Sequence, residues 1–179
     1  AYVSAGTIGF ADALRSVRRR GELMFRAGQE RPGTMAAILG MEDGALEKVC
    51  QDASAQGGEC VPANYNSPGQ LVISGDVPSV QNAMELAKQK GAKRAVQLNV
   101  SGAFHSPLMA SAEAGLRVQL DDVELSAPAF PVVSNVTAQP VSDVVDARRL
   151  LLQQLTSPVR WTACIRTMVD AGITDFIEL

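Results

Sequence analysis

The chain has 179 residues and a formal net charge of −3, with 46% hydrophobic, 20% charged and 4% aromatic residues. These are globular values, sufficient for a sizeable core of Ala, Val, Leu and Ile, and they exclude a disordered chain. Lys+Arg 16 against Asp+Glu 19 leaves no basic excess for nucleic acid, and no apolar run reaches the roughly 20 residues of a membrane span.

The first long pattern runs from Phe10 to about Ala27. Phe10, Leu14, Val17, Gly21 and Met24 recur at amphipathic-helix spacing, with Arg15 and Arg19 on the far side and Gly28, then Pro32-Gly33, as stop signals. From Thr34 to Leu98 a compact alternation is expected. It comprises a strand at Met35–Leu39, a helix over Glu42–Ala55, strands at Cys60–Tyr65 and Leu71–Ser74 around a Ser67-Pro68-Gly69 turn, a helix capped by Asp76, and a strand at Arg94–Leu98. Strand-helix-strand-strand-helix-strand is the ferredoxin-like pattern. Beyond it the sequence predicts a helix over Ser106–Asp121, a strand at Phe130–Val133, helices over 143–155 and 158–171, and a last strand at 175–179. That alternation suggests a parallel α/β layer. The organisation expected is an α/β subdomain over 1–33 and 99–179 interrupted by a ferredoxin-like subdomain over 34–98.

Cys50, Cys60 and Cys164 form no Cys-x-x-Cys pair. Three buried thiols in a reducing compartment are expected, rather than a disulfide framework or a thiolate zinc site. No metal-ligand spacing, phosphate loop or dinucleotide glycine pattern is visible. Ala1-Tyr2-Val3 shows no basic segment leading into an apolar one, although a start without Met leaves targeting open.

His105 is the sole histidine. Ser106 can cap the following helix with Pro107 in its first position, so the imidazole faces the positive end of a helix dipole, which favours the neutral form a general base needs. The competing reading is a histidine that packs at a loop. A Gly-x-Ser-x-Gly elbow is absent, so the chain offers a base without a nucleophile. Arg18 and Arg20 lie on opposite flanks of the first helix, each about 80° from the centre of the apolar stripe. Either can reach an anionic group, or both can simply be solvated.

Several segments in register resemble the malonyl-CoA:acyl-carrier-protein transacylase family. They are Arg20-Gly21-x-x-Met24, Met35–Gly40, Asn64-Tyr65-Asn66-Ser67-Pro68-Gly69-Gln70, Gly91–Ala95, Ala103-Phe104-His105, Pro131–Val136 and Gln154–Trp161, with Ala5-Gly6 and Phe10–Ala13 before them. The resemblance implies an α/β-hydrolase-like acyltransferase subdomain with a ferredoxin-like insert, and malonyl transfer from malonyl-CoA to the phosphopantetheine thiol of acyl carrier protein in fatty-acid synthesis. It implies that His105 is the catalytic base, that Arg20 binds the malonyl carboxylate, that Met24 and Phe104 line the acyl pocket and that Asn66 contacts substrate. Phe before the histidine looks like the malonyl-selective form. No cofactor, metal, membrane or nucleic acid is implied, and the full-length protein is expected to be a monomer in the cytoplasm or an organelle matrix or stroma. The family's nucleophile elbow is missing, so the chain reads as an internal fragment inactive alone. An acyltransferase domain of a larger synthase and a non-catalytic ferredoxin-like binding module are the alternatives.

Overall fold

The computed structural model describes residues 1–55 and 57–178. Helix α1 spans Phe10–Glu30. Next come β1 (Gly33–Leu39), α2 (Asp43–Ser54), β2 (Cys60–Ser67), β3 (Gln70–Asp76), α3 (Val77–Gln89) and β4 (Arg94–Gln97). These four strands form one antiparallel sheet in the order β2-β3-β1-β4, the ferredoxin-like arrangement. Register follows the two-residue period of a strand. Ile38 pairs with Leu71 on one side and Ala95 on the other. Ala36, Ile38, Leu71 and Ile73 pack on Leu46 and Val49 of α2 and on Val80 and Ala83 of α3. The opposite face offers Met35, Ala63 and Val72 to Phe104. Pro62, which cannot donate to a ladder, sits on the edge strand β2 where the register shifts.

The chain then makes a short 3-10 turn at Pro107–Met109, α4 (Ser111–Asp121), β5 (Val132–Val133), β6 (Pro140–Val141), α5 (Val144–Gln153) and α6 (Trp161–Asp170). Leu23 and Ala27 of α1 pack on Leu116 and Leu120 of α4, with Leu108, Met109, Leu152 and Leu155 completing this core. Gly28 does not end α1. It lies within the helix, where an added Cβ would meet the Ser101 carbonyl oxygen and come within 3.2 Å of Gly102 Cα.

Several sequence expectations are corrected. The stripe Phe10, Leu14 and Val17 does not face the core of this chain, and each is more than 60% exposed. The buried side of α1 is Ser16, Leu23, Met24, Ala27 and Gly28, because the small residues allow close approach while the larger apolar ones find no partner here. Asp76 occupies the N-cap position of α3 without capping it, and its Oδ2 instead accepts the Glu59 N–H at 2.7 Å. The expected single helix over Ser106–Asp121 is broken at Ala110 between the 3-10 turn and α4. No parallel layer forms among the described residues of 99–178. Strand β5 has only the hairpin partner β6, and no other described segment of 99–178 pairs with it. Residues 175–178 carry no strand, having no ladder partner, and Leu179 lies outside the described residues.

The two parts of the molecule meet along β2. The Tyr65 N–H donates to Val159 O, and the Val159 N–H donates to Ala63 O, each at 2.8 Å. Thr162 Oγ1 adds a bond to Tyr65 O at 3.1 Å. This seam anchors the segment that leads from Gln154 to α6, and so places the site described next.

Candidate active site

His105 stands on the turn between the sheet and the 3-10 helix, with a φ of +58°, a left-handed conformation that few non-glycine residues adopt. Its Nδ1 lies 3.1 Å from the main-chain oxygen of Gln154. A carbonyl only accepts, so this contact places the ring proton on Nδ1 and leaves the lone pair on Nε2. The Gln154 side-chain amide lies 3.4 Å from the same nitrogen and donates to Ser157 O at 2.9 Å, closing the turn that presents the carbonyl. Sequence reasoning gave Gln154 no role. The atom it contributes belongs to the backbone, and residue type carries no signal for it.

The imidazole pKa is held below the ordinary histidine value. Burial is the largest cause, the Gln154 carbonyl opposes it, and the positive charge of Arg20 lowers it further. The expected dipole of a following helix is not the source, since only three residues of 3-10 turn follow. Ser106 does cap as expected, its Oγ accepting the Leu108 N–H at 3.3 Å.

The structure separates the two arginines that helical spacing leaves equivalent. Arg18 is exposed and bonded to Glu22 at 3.1 Å. Arg20 is half-buried on the Ser16–Leu23 side of α1, its pKa lowered by burial, and no carboxylate among the described residues pairs with it. It lines a cavity of about 310 Å³ with Tyr2, Ile8, Ser16, Leu116 and Gln154. His105 lines a neighbouring cavity of about 490 Å³ with Tyr65, Pro158 and Arg160. Gln154 therefore joins the two, lining the first and bonding the histidine of the second.

Met24 is buried in the core between α1 and α4, and Phe104 is half-buried where that core meets the outer face of the sheet. Asn66 lies half-buried on β2. These three line neither cavity. Cys50, Cys60 and Cys164 are all buried free thiols, and contact with Cys60 together with burial pushes the Cys50 thiol up. Among the described residues no group of three or more His, Cys, Asp or Glu side chains gathers where a metal ion could be held. No helix among them is long and apolar enough to cross a membrane.

A model of the acyl transferase domain matches residues 1–179. The chain belongs to that family. Across its full length, this acyl transferase chain is 45% identical to the malonyl CoA-acyl carrier protein transacylase of Bacillus subtilis, of which it covers 56%. It is 42% identical to the acyl-carrier-protein S-malonyltransferase of Burkholderia pseudomallei, with a TM-score of 0.93 over 97% of this chain and 56% of that one. A malonyl-transacylase solved in complex with a type II PKS acyl-carrier protein gives 39% identity and a TM-score of 0.92, again over 97% and 56%. The acyl transferase chain thus spans just over half the length of these relatives. Its fold is mixed α/β, like that of these acyltransferases, which have an α/β-hydrolase-like core with a ferredoxin-like subdomain.

Proposed function

We propose that the protein carrying this chain moves a malonyl group from malonyl-CoA to the phosphopantetheine thiol of acyl carrier protein, through a malonyl ester on a serine expected upstream of Ala1. The observation that carries the reading is the ring of His105, tied by Nδ1 to Gln154 O at 3.1 Å so that its lone pair stays on Nε2, near the guanidinium of Arg20, which no carboxylate among the described residues pairs with. In the first half-reaction Nε2 takes the serine hydroxyl proton while the oxygen attacks the thioester carbon. The C–S bond breaks, and Nε2–H returns the proton to the departing thiolate. In the second half-reaction Nε2 takes the proton of the incoming thiol, the sulfur attacks the ester, and the serine oxygen recovers the proton. Arg20 holds the free carboxylate of malonyl by its fork of donors. The family resemblance assigns Met24 and Phe104 to the acyl end of the pocket and Asn66 to a substrate contact, although none of the three lines either cavity of this chain, and the two substrates suffice without a cofactor.

We place the subdomain boundaries at 33/34 and 98/99, and the reaction in a reducing compartment, the cytoplasm or the matrix or stroma of an organelle; the three buried free thiols support a reducing setting. The test is to incubate the protein carrying this chain with malonyl-CoA and look for malonate retained on it, then discharge that malonate with phosphopantetheinylated carrier protein. Covalent retention, stoichiometric discharge and parallel-line kinetics are expected. Intersecting initial-velocity lines with no retained malonate would overturn the reading.

A further inference from the structure

His105 adopts its left-handed backbone next to a serine whose side chain is wholly enclosed. Ser106 Oγ donates to Ala103 O at 2.6 Å and accepts the Leu108 N–H at 3.3 Å. One hydroxyl therefore clamps the chain on both sides of Phe104-His105, with its single proton and one lone pair both in use. Ala103 and Leu108 are themselves buried, so neither backbone group has water as an alternative partner. A left-handed conformation costs an L residue energy and persists only where its surroundings fix it. Phe104 wedged between the two cores holds one side of the turn, and the hydroxyl of Ser106 ties its two ends.

We propose that Ser106 is a positioning residue for the transfer reaction, holding His105 in the left-handed conformation from which its ring reaches the Gln154 carbonyl. The proposal rests on the function proposed above for its kinetic consequence, and on geometry alone for its structural one. Ser106 touches no reacting atom. Without its hydroxyl the Ala103 carbonyl and the Leu108 N–H lose their partner, the backbone at His105 relaxes toward negative φ, and the ring leaves the Gln154 oxygen. Nothing then favours Nδ1–H over Nε2–H, and the fraction of ring able to act as base at Nε2 falls.

The experiment compares Ser106→Ala with the unaltered protein carrying this chain. Two readouts are taken: kcat and KM for malonyl-CoA, and the ¹⁵N signals of the neutral His105 ring, assigned by their loss in His105→Gln. The unaltered protein should show the Nδ1–H tautomer. Ser106→Ala should show a tautomer mixture, with kcat lowered roughly ten- to hundredfold and KM little changed, as displacement of a catalytic group produces. Should Ser106→Ala not fold, Ser106→Cys takes its place, since a thiol fills the site but donates only weakly, and the same pattern is expected. A variant that keeps both the Nδ1–H signal and kcat while losing only thermal stability overturns the proposal. The ring signals need no substrate, so they decide the role of Ser106 even where malonyl transfer is absent and the proposed function fails.

Discussion

His105 and Gln154 are joined through an atom that the glutamine side chain does not specify, the main-chain oxygen 3.1 Å from Nδ1. The hydrogen bond fixes which nitrogen is basic, and burial together with Arg20 keeps that nitrogen unprotonated to lower pH than a free histidine. The acid limb of kcat/KM should therefore lie below the ordinary histidine value of roughly 6.5. Arg20→Gln removes one lowering influence and should move the limb toward higher pH. For stability the sign is equally definite. With the folded value depressed, protons bind the unfolded chain first, so stability is lost as pH falls from about 6.5 through the folded value. An acid limb at or above 6.5 in the unaltered protein, or one unmoved by Arg20→Gln, contradicts this account.

Selectivity for a dicarboxylic acyl group should rest on Arg20. Losing a charge-assisted bond in a half-buried site costs about 1.5–3 kcal/mol, or roughly tenfold and more in rate. Arg20→Ala should lower malonyl transfer by that factor and leave acetyl transfer little changed. Arg18→Ala should be nearly silent, because that side chain pairs with Glu22 in solvent. Arg20→Lys should restore only part of the loss, since a point charge does not reproduce the fork. The assignment fails if both acyl groups fall equally, or if Arg18→Ala is the variant that loses malonyl.

Much of this was legible in the sequence where the signal was local. The ferredoxin-like sheet follows from short apolar strands punctuated by Gly40, Pro68-Gly69 and Gly91, and each of those features acts within a few residues. The orientation of α1 was not legible. Its strongest hydrophobic stripe points to solvent in this chain, whereas its packed side depends on the smallness of Ser16, Ala27 and Gly28, which a hydrophobic count passes over. Strand character at Phe130–Val133 and 175–178 depends on neighbours remote in sequence, which composition cannot supply. At the site, His105 and Arg20 stand out by residue type. Gln154 O and the φ of His105 are backbone features, visible only after folding.

Gly28 should be intolerant of any side chain. A Cβ there would meet the Ser101 carbonyl, a rigid backbone atom two residues from the Ala103-His105 turn, so α1 has to move away or the turn has to shift. Alanine normally gains about 1 kcal/mol over glycine inside a helix. Here Gly28→Ala should instead destabilise by roughly 1–3 kcal/mol, the usual cost of overpacking. Thermal unfolding of the protein carrying this chain measures it, with Gly21→Ala as control, because an added Cβ at Gly21 meets nothing within 4 Å. A stabilised Gly28→Ala would show that the close approach is not needed.

The seam along β2 predicts a graded series at Tyr65. Its hydroxyl donates to Glu47 at 2.7 Å in an exposed setting, so Tyr65→Phe should change stability by less than about 0.5 kcal/mol. Thr162→Val deletes the bond to the Tyr65 carbonyl and should cost about 0.5–1.5 kcal/mol. Tyr65→Ala removes a half-buried ring that packs on the sheet core and lies 5.7 Å under the Arg160 guanidinium. Its cost should be the largest of the three, roughly 2 kcal/mol or more, yet below the 3–5 kcal/mol of a fully buried aromatic. The same seam holds Val159, two residues after Ser157, whose carbonyl closes the Gln154 turn. Tyr65→Ala should therefore also lower kcat, by loosening the carbonyl that orients His105, whereas Tyr65→Phe should not. Denaturant unfolding and malonyl transfer measured on the three variants test both halves, and a Tyr65→Ala protein that loses stability but keeps full kcat would show that the seam does not reach the site.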